Sequence, residues 1–418
     1  EIFGLQRFAQ HGRSLGVTHR AERPLLRGAG FFPRLRGNVR VLREARDYIG
    51  EQAGTGYDVS PAAEWLLDNF HLIDAQVRAI HADLPRGYFR ELPTLRDAPL
   101  AGLPRVYGIA WAFVAHTDGA FDEELLVQFL GAYQETRELG LSELWALSTV
   151  LRVVLVESLR RLAERVATNK AAREVANRVC DRLAAYSLGD LDRLLELLRQ
   201  RGVASAFLCQ MAVRLQDRAA GIEAVDPLAW NAWLLRALPD LANAQARQPA
   251  EQAADNLSVS NAVTSLRVVG DADWADIIAR TSTLMRLMLG SLLFAAEDRS
   301  TRDKTLHRIE TLARRTRGGE VAVAQCLLAH MHAATGAGVW AGHWLHGPGR
   351  PELLRDLGLH TPALWTRLRA SRVLALPLYL LALVAGTGLL LAWLLQPGHA
   401  VTVSASPAAG LLGLLAVL

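Results

Sequence analysis

Apolar residues recur every three or four positions along most of the chain from residue 60 to residue 334, which places them on one face of an α-helix. Ser60-Pro61 is a typical helix start, because serine caps the first turn and proline fits the first helical position. One apolar series follows it, and the longest series runs from Leu144 to Val166. Alternating patterns typical of strands never exceed five residues. The sequence therefore predicts an all-α fold, either a multi-helix bundle or stacked helical hairpins.

Caps and turns predict where several further helices begin and end. Asp118-Gly119 is predicted to be a turn between two short helices, and Gly202 to end a helix that begins at Asp190. Asp226-Pro227 begins another helix. The polar, Ala- and Gln-rich stretch from residue 240 to residue 258 interrupts the pattern, and we interpret it as an internal boundary. The helical region is therefore divided into a first part, residues 47–255, and a second part, residues 256–370.

The C-terminal end of the chain differs sharply from the helical region. Residues 373–395 form 23 nearly uncharged positions, enough for one membrane-spanning helix, and residues 408–418 are predicted to begin a second. Arginines precede the first apolar run, whereas the loop at 396–407 has no Lys or Arg. The positive-inside rule then places residues 1–372 in the cytoplasm and that loop on the other side of the membrane. We expect the chain to be part of a longer membrane protein.

Charge is concentrated at the N-terminus. Residues 1–46 hold ten arginines and three glutamates, a net charge of +7, although the whole chain carries only +4. This basic arm is predicted either to contact anionic lipid or an acidic protein face, or to be loosely ordered and to lie against other parts of the protein. It has no RNA-binding motif and no zinc finger, so we expect no nucleic-acid partner. The three cysteines are far apart, which excludes a disulfide scaffold and a paired-cysteine zinc site.

Three groups of polar residues resemble chemical sites, and each has a simpler explanation. Asp271 and Asp273 have the spacing of a metal-binding acidic pair, but a helical pattern follows them, so an N-cap is favoured. The residues His116, Asp118 and Asp122 suggest a base with an orienting carboxylate, but no nucleophile lies near them in the sequence, and a turn capped by Asp118 is favoured. The last group consists of histidines that are more simply surface or hydrogen-bonded residues: His330, His332, His343 and His346.

Motifs of known reaction centres are absent from the sequence. It contains no P-loop, no G-x-G-x-x-G after a strand, no G-x-S-x-G elbow and no Gln-x-x-Arg-Trp signature. We therefore predict no catalytic, cofactor-binding or metal-binding residue in this chain. An aromatic set offers a sugar-stacking surface, although filling the helical core is the favoured role. That set is Tyr88, Phe89, Trp111, Trp145, Trp230 and Trp233.

Several stretches, in the same order, resemble the N-terminal region of bacterial cyclic β-1,2-glucan synthases. Together they extend over roughly residues 38–370, and an apolar run follows at the expected place. Our sequence departs from the family most between residues 168 and 254. The matching stretches are Ser60–His71, Asp83–Pro93, Pro104–Tyr107, Phe113–Asp118, Glu143–Leu147, Asn261–Arg267 and Gly349–Leu353.

The resemblance implies that the chain is part of a large inner-membrane enzyme. That enzyme would transfer glucose from UDP-glucose into β-1,2-glucan with the help of a divalent metal. The transferase domain would follow this chain and would be its partner, together with the lipid bilayer and, as a further candidate, the glucan itself. The chain is then predicted to be a non-catalytic scaffold and membrane anchor. The alternatives are a carbohydrate-binding or chain-guiding module and a membrane-tethered regulatory interaction domain.

Overall fold

A computed structural model describes residues 4–22, 31–54, 60–83, 92–218, 227–316, 318–359 and 379–389. Almost all of these residues are helical, so the predicted all-α fold is confirmed. The first nine helices are α1 (Leu5–Thr18), α2 (Phe31–Gly54), α3 (Pro61–Asp68), α4 (Phe70–Asp83), α5 (Arg105–His116), α6 (Glu123–Gln134), α7 (Leu141–Asp181), α8 (Leu188–Gln200) and α9 (Ala204–Arg218).

Further helices follow in the described part of the chain, several of them short. They are α10 (Pro227–Ala237), α11 (Leu241–Asp271), α12 (Trp274–Thr281), α13 (Thr283–Leu289), α14 (Leu292–Ala296), α15 (Arg299–Ala313), α16 (Gly319–Ala333), α17 (Ala341–Leu345) and α18 (Arg350–Asp356). Residues 379–389 are also helical, and single 3-10 turns occur at Leu183–Ala185 and Gly336–Val339. The strands β1 (Ala21–Glu22) and β2 (Thr94–Leu95) pair antiparallel, with Ala21 opposite Leu95.

The helix α7 is 41 residues long and organises the core. Its predicted stripe from Leu144 to Val166 is buried, and the helices α2, α5, α9 and α11 pack along it. No glycine or proline interrupts the helix, so its hydrogen-bonding pattern continues through all 41 residues. Towards its C-terminal end, α7 joins a second apolar cluster with α8, α9 and α10, in which Phe207 and Trp233 are fully buried.

The segment interpreted as an internal boundary and the described part of the basic arm are both largely helical. The stretch from residue 240 to residue 258 lies almost wholly in α11. Its six alanines favour a helix, because alanine has the highest helix propensity of all residues. The apolar period of the stretch is weak, so the sequence pattern does not indicate this helix. The division proposed at residue 255 falls within this helix and stays a prediction. In the basic arm, the described residues form α1 and most of α2, which pack on α6 and α7 respectively and are not loosely ordered.

Predicted helix ends agree with the structure where a cap or a turn defines them. The helix α3 begins at Pro61, and α10 begins at Pro227. The turn between α5 and α6 has left-handed backbone at Asp118 and Gly119, with φ of 50° and 75°. The helix α8 begins two residues before the predicted Asp190, since Ser187 caps it and Asp190 completes a capping box.

The chain divides into two compact units, Glu1–Gly342 and His343–Leu418. The described part of the second unit contains α18 and the helical residues 379–389, whose side chains are exposed. Among the described residues, no helix is both long enough and apolar enough to cross a bilayer. The remaining residues of the predicted span, 373–378 and 390–395, and the predicted segments at 396–407 and 408–418 lie outside the described residues.

Candidate functional site

A crevice of about 490 Å³ opens beside the beginning of α7. Trp145 lies in it, and its side chain is 43% exposed although its helix neighbours Leu144 and Ala146 are buried. We call this site the Trp145 crevice. It is lined by α4, α7 and α15 through Asp83, Leu141, Ser142, Trp145, Arg299, Asp303, Leu306, His307 and Glu310.

The floor of the Trp145 crevice is apolar and its margin carries charged and polar groups. Leu141 and Leu306 are each 6% exposed, so they belong to the core beneath the indole ring. The carboxylate of Asp83 accepts a hydrogen bond from Arg152 at 2.7 Å, and that of Glu310 accepts one from Arg314 at 2.8 Å. An apolar ring among a few convergent polar groups is the usual composition of a small-molecule site.

The same end of α7 carries a partly buried carboxylate, Glu320. Its Oε2 accepts a hydrogen bond from the backbone N–H of Leu141 at 2.8 Å. Burial raises the pKa of Glu320 to about 7, and the nearby charges of Glu310 and Glu143 act in the same direction. At neutral pH the carboxyl group of Glu320 is therefore partly protonated. It is bonded to Leu141, which lines the Trp145 crevice.

A buried ion pair holds the beginning of α7 against α5. Arg105 and Glu143 are both buried, and the guanidinium donates two hydrogen bonds to the carboxylate and one to the backbone oxygen of Glu138 at 3.0 Å. The charges need these bonds, since a buried ion without a partner costs several kcal/mol. The pair therefore fixes the position of the helix start on which Trp145 lies.

Further along α7, Glu157 joins three helices. It is 3% exposed and accepts hydrogen bonds from Arg34 at 2.5 and 2.9 Å, from Asn38 at 2.9 Å and from the Tyr107 hydroxyl at 2.5 Å. Burial opposes its ionisation, but these bonds prevail and hold the pKa of Glu157 below its ordinary value. The same hydrogen bond and burial raise the pKa of Tyr107 above its ordinary range. This carboxylate is thus bonded to both α2 and α5.

A second, larger crevice of about 810 Å³ lies between α7, α9 and α11, and we call it the polar crevice. Its lining is made almost wholly of charged and amide side chains, and most of these pair with one another. Burial lowers the pKa of Arg173 in this lining. The pairs within it are Arg165 with Asp255, Lys170 with Glu174, Gln210 with Asn177, and Arg214 with Asp181.

One comparison with known proteins identifies a relative. The chain is 31% identical over 359 residues, 82% of its own length, to the cyclic beta-(1,2)-glucan synthase NdvB of Rhizobium meliloti strain 1021. This chain is related to a region of a cyclic β-1,2-glucan synthase. The predicted resemblance to that family is confirmed. The aligned part amounts to 12% of the length of NdvB, so the chain corresponds to a small part of such a synthase. No family model matches the chain.

The structure gives the acidic residues of this glucan-synthase relative local structural roles. Asp273 caps α12, accepting hydrogen bonds from the backbone N–H groups of Ala275 and Asp276 at 3.0 and 3.2 Å, which confirms the favoured interpretation as an N-cap. Asp271 is the last residue of α11. Asp122 caps α6 in the same way.

The other members of the predicted His116 group also take part in packing. Asp118 accepts hydrogen bonds from the Ser258 hydroxyl at 2.8 and 2.9 Å and thereby ties the turn to α11. The ring of His116 meets that of His11 edge to face, with 4.8 Å between their centroids. These contacts join α1, α5 and α11.

The four histidines considered as metal ligands fall into two groups. His330 and His332 lie in the last turn of α16, whereas His343 and His346 belong to the second unit. Within the described part of the chain, no group of three or more His, Cys, Asp or Glu side chains is placed to hold a metal ion.

The aromatic set separates into core and surface residues. Trp230 and Trp233 are buried, and the indole N–H of Trp233 donates to Asp192 at 2.8 Å. Trp111 is half-buried beneath Arg161, whose guanidinium lies 4.2 Å from the ring centroid. Trp145 alone of the described members lies in a crevice, while Tyr88 and Phe89 are outside the described residues.

Sequence reasoning missed the partners of Trp145 in the crevice. Arg299, Asp303 and His307 are more than 150 residues away along the chain, in a helix whose exposed face is generally charged. Nothing in their local pattern distinguishes them from other surface residues. The raised pKa of Glu320 had no local signal either, because it depends on burial against α7.

Proposed function

We propose that this chain is a non-catalytic scaffold region of a cyclic β-1,2-glucan synthase. The observation that carries the proposal is the use of buried charge: Arg105, Glu143 and Glu157 are each bonded to side chains of other helices. Fully bonded buried charges fix the relative positions of helices, and their hydrogen-bonding groups are taken up by one another. The relationship to NdvB supplies the enzyme context.

The proposal places the chemistry and the membrane attachment in other segments. The transfer of glucose from UDP-glucose, with a divalent metal, belongs to a transferase domain that this region holds against the bilayer. Residues 373–395 would provide the first membrane-spanning helix, and residues 1–372 would lie in the cytoplasm. Supporting this assignment are the uncharged run at 373–395 and the arginines that precede it.

The proposal is tested by incubating the purified chain with radiolabelled UDP-glucose and Mg²⁺. We expect no incorporation into polymer above a heat-denatured control. Polymer synthesis by this chain alone would overturn the scaffold role. In a second arm, E157Q is placed in a synthase that contains this chain, with the exposed-pair variant E135Q as the matched control. Loss of synthesis in E157Q alone is the expected result, whereas equal synthesis in both variants contradicts it.

A second candidate function is carbohydrate binding. It is favoured by the exposed indole ring of Trp145 within a crevice that also contains carboxylate, guanidinium and hydroxyl groups. A scaffold of this kind would hold a sugar chain without reacting with it.

A further inference from the structure

We propose that the Trp145 crevice binds a neutral oligosaccharide of hexopyranose units. The inference rests on the carbohydrate-binding candidate and deepens it by naming the site and the ligand class. Three properties of the crevice carry it: an unused aromatic face, a matched set of hydrogen-bonding groups, and the lack of a net positive charge in the described lining.

The indole ring of Trp145 is available to a ligand. Its exposed fraction is 43%, and the described residues give it no stacked ring and no cation above it. By contrast, Trp111 on the neighbouring helix α5 is covered by Arg161. A large exposed aromatic surface gains free energy when an apolar surface of similar size covers it. The C–H face of a pyranose ring is such a surface.

The groups around the indole ring match the hydroxyl groups at the edge of a sugar. Asp303 is exposed and forms no ion pair among the described residues, so both of its carboxylate oxygens can accept from neighbouring hydroxyl groups. Arg299 lies one helical turn earlier and supplies donors. Donors and acceptors are therefore both present in the lining, as a ligand with several hydroxyl groups requires.

Charge separates this ligand class from phosphates and acidic lipids. The lining contains three carboxylates, Asp83, Asp303 and Glu310, against the single guanidinium of Arg299. Asp83 and Glu310 are already bonded to Arg152 and Arg314, and the remaining Asp303 and Arg299 carry opposite charges. The lining therefore has no net positive charge to attract a phosphate, and an anion beside Arg299 would also meet the carboxylate of Asp303. A neutral ligand meets no such repulsion.

The size of the crevice is that of a site for part of a chain. Its volume of about 490 Å³ lies in the range of about 300 to 1,000 Å³ that is usual for small-molecule sites. The crevice is also open to solvent, since Asp83, Trp145 and His307 are all exposed. A longer oligosaccharide can therefore extend beyond the crevice into solvent.

The polar crevice carries a weaker inference. Its charged and amide groups are largely satisfied by one another, as in the pair of Arg214 with Asp181, and it offers no aromatic face. Binding there would first have to break existing hydrogen bonds, each worth about 1 kcal/mol or more. We therefore assign the ligand to the Trp145 crevice.

The test is a calorimetric titration of the whole chain with β-1,2-linked gluco-oligosaccharides, with maltoheptaose and inorganic pyrophosphate as the other probes. We expect a dissociation constant of about 0.1 to 1 mM for an oligosaccharide and no measurable binding of pyrophosphate. The variant W145A should lose about tenfold or more in affinity, while W145F, which retains a ring, should lose only about threefold. D303N should weaken sugar binding and should also relax the exclusion of pyrophosphate, because the charge of Arg299 is then unopposed.

The matched control is W340A, because Trp340 is 48% exposed but does not line the crevice. This variant should bind like the original chain, and circular dichroism should show the same melting temperature for all four variants. Absence of sugar binding at about 10 mM, or equal affinity in W145A and W340A, overturns the proposal. Pyrophosphate binding that W145A abolishes overturns the neutral ligand class.

The two proposals fail separately. Polymer synthesis by the isolated chain would contradict the scaffold role and leave the titration result as it is. Loss of sugar binding would contradict the crevice assignment and leave the scaffold role intact.

Discussion

The contact between α1 and α6 depends on two glycines one helical turn apart. A Cβ atom at Gly12 would lie 2.7 Å from the backbone oxygen of Phe129, and one at Gly16 would lie 2.7 Å from the backbone oxygen of Tyr133. Backbone atoms cannot turn aside as a side chain does, so an added methyl group must push the two helices apart. Glycine at these positions allows the close approach that buries Phe8.

The substitution G12A therefore has two opposing effects on the free energy of unfolding. Alanine gains about 1 kcal/mol over glycine from helix propensity. Overpacking against a backbone oxygen costs about 1 to 3 kcal/mol, and the displacement also loosens Phe8 between Phe113 and Phe129. We expect a net loss of up to about 2 kcal/mol.

The matched control is G131A in α6 of the same helix pair, because nothing lies within 4 Å of a Cβ atom at that position. There only the propensity gain of about 0.5 to 1 kcal/mol remains, so this variant should be more stable than the original chain. Urea denaturation followed by circular dichroism measures both variants. If G12A is as stable as G131A, the packing of α1 on α6 does not depend on the absent side chain.

Three further predictions concern buried ionisable groups. E157Q leaves Arg34 without its full charge partner and should lower the unfolding free energy by about 2 to 4 kcal/mol in urea, whereas E135Q in an exposed pair should leave the midpoint unchanged. Burial raises the pKa of Glu320 to about 7, so the folded protein binds a proton more tightly than the unfolded chain, and its stability falls as pH rises from about 4.5 to 7. The variant E320Q should therefore be more stable than the original chain by about 2 kcal/mol at pH 8 and equally stable at pH 4. Burial lowers the pKa of His19 to about 4, so the unfolded chain binds a proton more tightly than the folded protein, and stability falls as pH drops from about 6.5 to 4. The melting temperature of H19Q should decline less over that range than that of the original chain. An equal decline in both would contradict the assignment of this pH dependence to His19.

Local patterns were sufficient to predict the helices whose signals are strong. The stripe from Leu144 to Val166 has a period that only a helix satisfies, and Pro61 and Pro227 fix two helix starts through their own backbone geometry. The positive φ of Gly202 ends α8 as predicted, since glycine adopts that conformation without steric cost. Each of these signals acts within a few residues of the chain.

Features that depend on distant contacts were not predictable. The helix α11 has a weak apolar period in its first half, and its helical state follows from composition and from packing on α3 and α7. Exposure of Trp145 could not be distinguished from burial, because Trp230 and Trp233 occupy similar sequence patterns and are buried. The Trp145 crevice exists only because α15 folds back beside the start of α7, more than 150 residues earlier.

The unbroken course of α7 has a mechanical consequence. At about 1.5 Å per residue its 41 residues form a rod of about 60 Å, with Trp145 near one end and Asp181 at the other. Since no glycine or proline interrupts it, this rod sets the distance between the two regions that it joins. The cluster around Trp233 and the residues near Trp145 are therefore held apart by the length of one helix.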